Sequence, residues 1–194
     1  MKFINIINSV KTILTDASGG DFQVVDHEPK SEGSKDINDL KKVLVYFSSD
    51  NFDRNSGTTN GTLQSKPTFK ILLQVSAMGV FTDSDDPSSL VSAEAMANTQ
   101  WDLFASQIFL ILMNAKNVFL GLAVGEISNR FIDTIQKGEI IRDGDDAVIL
   151  GTMDLTCNTT EIVSGEIATV GTDVTSNLTI GDDTEQNSAV TEPQ

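Results

Sequence analysis

The chain has 194 residues, of which 39% are hydrophobic and 21% charged, and a formal charge of −15. That length holds one domain with a proper core and some tail, and is short for two full domains. The acidic balance lacks the basic footprint that binding a phosphate backbone requires, and a single cysteine excludes both a disulfide framework and a CxxC zinc or redox site.

The charge is unevenly spread. Arg142 is the last basic residue, and eleven acids lie from Asp143 onward. A solvated surface is the plain reading of that excess. Residues 1–14 are cut by Asn5, Asn8, Ser9 and Lys11 and are followed by no small-residue cleavage site, so they do not read as a signal peptide. The most hydrophobic window, 108–124, is broken by Asn114, Lys116 and Asn117 below membrane-spanning length. No membrane association and synthesis in a cytoplasm are therefore expected.

Phe3, Ile6, Ile7, Val10, Ile13 and Leu14 recur at helical spacing, which predicts a short amphipathic N-terminal helix ending near Ser18-Gly19-Gly20. Residues 22–25 predict a brief strand. The polar stretch 26–39, with Pro29 and Gly33, predicts a loop with one helical turn at 37–41. Val43-Leu-Val-Tyr-Phe47 is rich in β-branched and aromatic groups and predicts a strand. Residues 48–67 carry few large apolar groups and predict a long polar loop. In 68–81, Phe69, Ile71, Leu73, Val75 and Ala77 share one face, so this strand is expected to pair antiparallel with 43–47.

Residues 87–114 predict the main core helix. Ala93, Met96, Ala97, Trp101, Phe104, Ile108, Ile111 and Leu112 fall on one face, and Asp85-Asp86-Pro87 forms its entry. Its last two turns, where only Gln107 and Asn114 are polar, are expected to be buried almost all round. Three further strands are expected at 118–124, 130–141 and 147–157, with Gly144-Asp145-Asp146 joining the last two as a hairpin. From Asn158 onward large aromatics vanish and Thr, Gly, Val, Asp and Ser dominate. The expected fold class is α+β: an antiparallel β-sheet packed by one long central helix and a short N-terminal helix. Residues 1–157 form that domain, and 158–194 are a Thr/Gly-rich acidic C-terminal extension, β-rich or disordered.

Candidate chemistry is sparse. His27, the only histidine, stands between Asp26 and Glu28 with no HExxH or related spacing, so it reads as an exposed loop residue. Asp143 to Asp154 has the length of a calcium loop, but Ala147 and Val148 occupy positions needing an oxygen ligand and a glycine. It reads as a turn. Asp83-Ser84-Asp85-Asp86 reads as helix capping, Trp101 as packing, and Cys157 as an inert packed thiol. No P-loop, GxGxxG or GxSxG occurs. The expectation is a protein with no catalytic, cofactor-binding or metal residues.

The order of elements nevertheless resembles that of the tail terminator proteins of long-tailed bacteriophages. The matching features are the helix at 3–14, the strands at 43–47 and 68–81 joined by a long polar loop, and the helix carrying Asp102-Leu-Phe-Ala-Ser-Gln-Ile. The strand set ending Gly144-Asp-Asp-Ala-Val-Ile-Leu-Gly-Thr-Met-Asp-Leu completes the pattern. The resemblance covers about residues 1–157 and consists of apolar patterning rather than a chemical signature. It implies a structural virion protein, assembled in the host cytoplasm and located in the tail or neck. It further implies a homo-oligomeric ring, taken as a hexamer, that caps the tail tube protein and joins it to the head–tail connector or neck protein. The extension after Asn158 departs from the compact versions of the family. A neck or head-closure protein and a carbohydrate- or receptor-binding module are the alternatives. In a ring each subunit meets two neighbours through different surfaces, and the loop 48–67 suits that reach. Phe52, Arg54, Leu63 and Lys66 are the groups in it able to anchor on a neighbour or on the tube.

Overall fold

The computed structural model describes residues 3–26, 41–52, 62–123, 126–143 and 146–162. It is an α+β fold with a mixed sheet and two helices. Helix α1 spans Phe3–Ser18 and α2 spans Ala93–Met113. The strands are β1 (Gln23–Val25), β2 (Lys41–Phe52), β3 (Thr62–Met78), β4 (Val80–Phe81), β5 (Leu90–Val91), β6 (Ile127–Asp143) and β7 (Asp146–Ile162). The main sheet has the order β1-β2-β3-β7-β6, and β4 and β5 form a separate two-stranded ribbon.

The sheet is mixed rather than wholly antiparallel. Gln23, Val24 and Val25 pair in parallel with Lys42, Val43 and Leu44. His27 and most of the expected loop at 26–39 lie outside the described residues, whereas Lys41 belongs to β2 rather than to a helical turn.

Strand periodicity decides the core. Phe69, Ile71, Leu73, Val75 and Ala77 of β3 are buried on one face, as are Val43 and Val45 of β2 and Ile149, Met153, Leu155 and Cys157 of β7. Ile6, Val10 and Leu14 of α1 and Ala97, Trp101, Phe104, Ile108 and Leu112 of α2 complete the same cluster. Fully burying each Val, Leu, Ile, Phe or Met side chain among them contributes about 1.5–3 kcal/mol.

The entry to α2 differs from the sequence expectation. Asp86 accepts from Ser88 N (2.8 Å) and caps a 3-10 turn at Pro87–Ser89, and β5 then intervenes. The α-helix proper starts after Ser92, whose hydroxyl accepts from Ala95 N at 3.3 Å. Its last turns are not buried all round: Phe109 and Leu110 are exposed, as is Leu103 one turn earlier. The helix packs on β3, β7 and β6 and against α1, which leaves Leu103 and Leu110 largely exposed. Residues 118–122 are not a strand. They form turns in which Leu120 (φ 50°) and Gly121 (φ 71°) adopt left-handed backbone, and Leu120 is nevertheless fully buried. The apolar run there plugs the core from a turn.

β6 and β7 form the expected hairpin, with Asp143 paired to Asp146. Asp154 lies eight residues along β7, roughly 26 Å from Asp146 at strand rise, so the acids of the calcium-loop pattern lie along a ribbon instead of encircling one point. β7 also continues through Asn158 to Ile162, beyond the point where composition changes. Residues 163–194, the rest of the expected extension, lie outside the described residues.

Candidate interface at the far end of the sheet

The described residues of the polar segment expected as a loop, 48–52 and 62–67, are strand. β2 runs on to Phe52 and β3 begins at Thr62, so the two form one long hairpin whose connection is residues 53–61. Polar Ser, Asn, Gln and Lys residues hid the strand from a hydrophobicity reading. Backbone pairing sustains it: Asp50, Asn51 and Phe52 stand opposite Pro67, Lys66 and Ser65, and Thr62 to Ser65 pair in turn with Ile162 to Thr159 of β7.

A register shift between Phe47 and Ser49 sets which groups point where. Before it, odd-numbered residues of β2 face the helices; after it, even-numbered ones do, because one extra residue inverts the alternation. Phe52 therefore shares the face of Ser65, while Asn51 and Lys66 share the opposite one. Phe52 is 51% exposed and Lys66 is exposed.

Strands β6 and β7 reach the same end. Ser65 and Thr159 share a buried hydroxyl–hydroxyl hydrogen bond of 2.8 Å, and Thr68 and Thr156 one of 3.1 Å. Thr156 also donates to Asp133, which continues the stitching to β6. These bonds hold the end as one rigid unit. Phe52 and Lys66, with Asn51, Ser128, Asn158 and Thr160, line a cavity of about 640 Å³ there.

Of the four residues expected to anchor a contact, Phe52 and Lys66 both border this cavity, their side chains on opposite faces of the hairpin. Leu63 lies on β3 opposite Glu161 and is placed by its backbone alone. Arg54 lies outside the described residues. Asn51, Ser128, Asn158 and Thr160 were missed by the sequence reading. Their contribution depends on three distant segments meeting, and only the unexpected length of β7 signals it.

The groups present are amides, hydroxyls, one ammonium and one aromatic ring. Such a set hydrogen-bonds and packs on a polypeptide or polyol. Among the described residues no three His, Cys, Asp or Glu side chains converge to hold a metal ion. No described helix is long and apolar enough to cross a membrane.

Away from this end, Cys157 is buried opposite Arg130 on β6. Burial pushes its thiol up to about 12, against a smaller opposing effect of the Arg130 charge. Arg130 donates from Nε to the Leu112 carbonyl and from Nη2 to the Asn114 carbonyl, both at 2.7 Å. Burial lowers its own pKa, but a guanidinium retains its charge and so neutralises the carbonyl end of α2. Comparison of the sequence with protein-family models and with curated proteins returns no match.

Proposed function

We propose that this chain is a structural virion protein: a ring-forming subunit that caps a phage tail tube and joins it to the head connector. The observation that carries the reading is the rigid, multi-stranded end of the sheet, which presents Phe52 and Lys66. A ring needs a projecting contact that does not collapse onto its own subunit, and a hairpin stitched to β7 meets that need. The reading takes α2 as the central core helix, 163–194 as an extension beyond β7, and the subunit as one of a hexamer. Its partners are the tail tube protein and a neck or connector protein.

The cavity's hydroxyl and amide lining beside an aromatic ring also favours a carbohydrate- or receptor-binding module. The two readings part on assembly. Purified protein examined by negative-stain microscopy and native mass spectrometry is expected to form closed rings. The double variant Phe52→Ser, Lys66→Glu is expected to remain folded and to abolish them, since both residues are exposed. Rings that persist unchanged in the variant sink the assignment of the interface. A wild-type protein that stays monomeric at high concentration and binds glycans on an array sinks the ring reading itself.

A further inference from the structure

The opposite end of the molecule carries a second surface of different chemistry. β3 ends at Met78, and Gly79 leads into the β4–β5 ribbon, where Phe81 pairs with Leu90 and Val80 with Val91. Met78, Val80, Phe81 and Leu90 are 59%, 48%, 53% and 52% exposed. Such large apolar groups, grouped on one small ribbon, mark a contact surface more often than scattered single exposures do. Phe81 and Leu90 form a paired position, so they project to the same side. With Met78, Glu94, Arg142 and Asp146 they line a groove of about 490 Å³.

The rim of this apolar patch is acidic. Asp83, Asp85 and Asp86 are exposed on the connection between β4 and β5. That connection is held in one shape: the Ser89 hydroxyl lies 2.7 Å from the carbonyl oxygens of both Asp83 and Asp86, which share its one proton, and it accepts from Asp83 N at 2.9 Å. The described ion pairs are Lys11–Asp26, Lys137–Asp102 and Arg142–Glu94, so none of these three carboxylates is neutralised by them. Arg142, the cation in the groove, is already engaged by Glu94. An ordered loop loses little freedom on binding, which leaves more of its interaction energy available for affinity.

We infer that the β4–β5 ribbon is a docking surface for a different protein, one presenting apolar side chains flanked by Lys or Arg. Charge selects that occupant. A second copy docking through the same ribbon brings like charge against Asp83, Asp85 and Asp86, whereas a basic surface meets these exposed carboxylates with opposite charge while its apolar groups cover Phe81 and Leu90. The inference stands on this end alone and does not rest on the ring reading, whose contacts lie at the other end of β3.

The test is a titration of isotope-labelled full-length protein with two synthetic peptides, one alternating leucine with lysine and one alternating leucine with glutamate. The lysine peptide is expected to shift the backbone amides of residues 78–94 and to bind at least about tenfold more tightly than the glutamate peptide at low salt, with the gap narrowing near 0.5 M salt. Phe81→Ser with Leu90→Ser is expected to abolish binding. Asp83→Asn with Asp85→Asn, which leaves the apolar groups intact should the first variant fold poorly, is expected to remove the preference for lysine. Equal affinity for the two peptides, or shifts confined to other residues, overturns the proposal. So does sedimentation in which the full chain self-associates and Phe81→Ser, Leu90→Ser makes it monomeric, because the occupant is then a second copy.

Discussion

At Gly151 the sheet and α2 meet with no room for a side chain. A Cβ there would stand 2.8 Å from Trp101 Cε2 and 2.7 Å from the Gln136 carbonyl oxygen. Gly151→Ala therefore forces both the indole and the β6 backbone to give way, at a cost of about 1–3 kcal/mol. Urea unfolding should show a lower midpoint with an unchanged slope. Arg130 provides a second residue-scale test. Arg130→Met removes the donors to the Leu112 and Asn114 carbonyls together with the charge at the end of α2. The expected loss is about 2–4 kcal/mol, and Arg130→Lys should recover only part of it, since one ammonium lacks the planar fork. Cys157 completes the group. Its folded pKa, about 12, lies above the ordinary thiol value of 9.0, so the folded state holds its proton where the unfolded state has lost it. That contribution is fully present below pH 9 and falls as the pH rises from 9 towards 12. Native protein at pH 8 should resist iodoacetamide, and alkylation should become stoichiometric in denaturant. Rapid modification of native protein would contradict this burial.

Among the elements, α2 gives the sharpest test of where a helix begins. Ser92→Ala should cost about 0.5–2 kcal/mol through loss of the N-cap. Asp86→Ala should leave helix content nearly intact, because Asp86 caps the 3-10 turn instead. Thermal unfolding followed by circular dichroism separates the two. The sequence pattern located the helix and its buried face, since Ala97, Trp101, Phe104, Ile108 and Leu112 recur as helical geometry requires. It misplaced the start because Asp-Asp-Pro is an equally good signal for a short turn. Phe109 and Leu110 were expected to be buried, but the sheet and α1 leave both exposed. The β2–β3 hairpin failed differently: its strands were found where β-branched residues lie and lost where Ser, Asn and Lys take over, although pairing continues.

For the molecule as a whole, the composition change at Asn158 is not where described structure ends. β7 carries Thr159–Ile162 into pairing with β3, and Asn158 and Thr159 pair with β6. A chain ending at Ile162 is expected to unfold in one cooperative transition near that of the full chain. A chain ending at Cys157 should unfold earlier, having lost those pairs and the Ser65–Thr159 bond. Coincident transitions for the two truncations would show that this end of β7 contributes nothing to stability. The same long strands separate the two candidate surfaces. β3, at 17 residues, spans roughly 55 Å, with Met78 near the acidic ribbon at one end and Lys66 near the hydroxyl-lined cavity at the other.

Local periodicity determined α1, the buried face of α2, the apolar centres of β2 and β3, and the β6–β7 hairpin, because each is written in neighbouring residues. Gly144-Asp145-Asp146 marked a turn, and alternation in 68–81 marked a buried face, without any knowledge of partners. Tertiary structure decided the rest. The parallel β1, the inverted alternation after Phe47, the positive-φ turn that buries Leu120, and the meeting of Phe52 and Lys66 with Ser128 and Asn158 all depend on contacts between distant segments. A hydrogen-bonded backbone can hold polar residues in a strand, and a core can bury an apolar residue from a turn. Neither outcome is encoded in the local pattern of apolar residues.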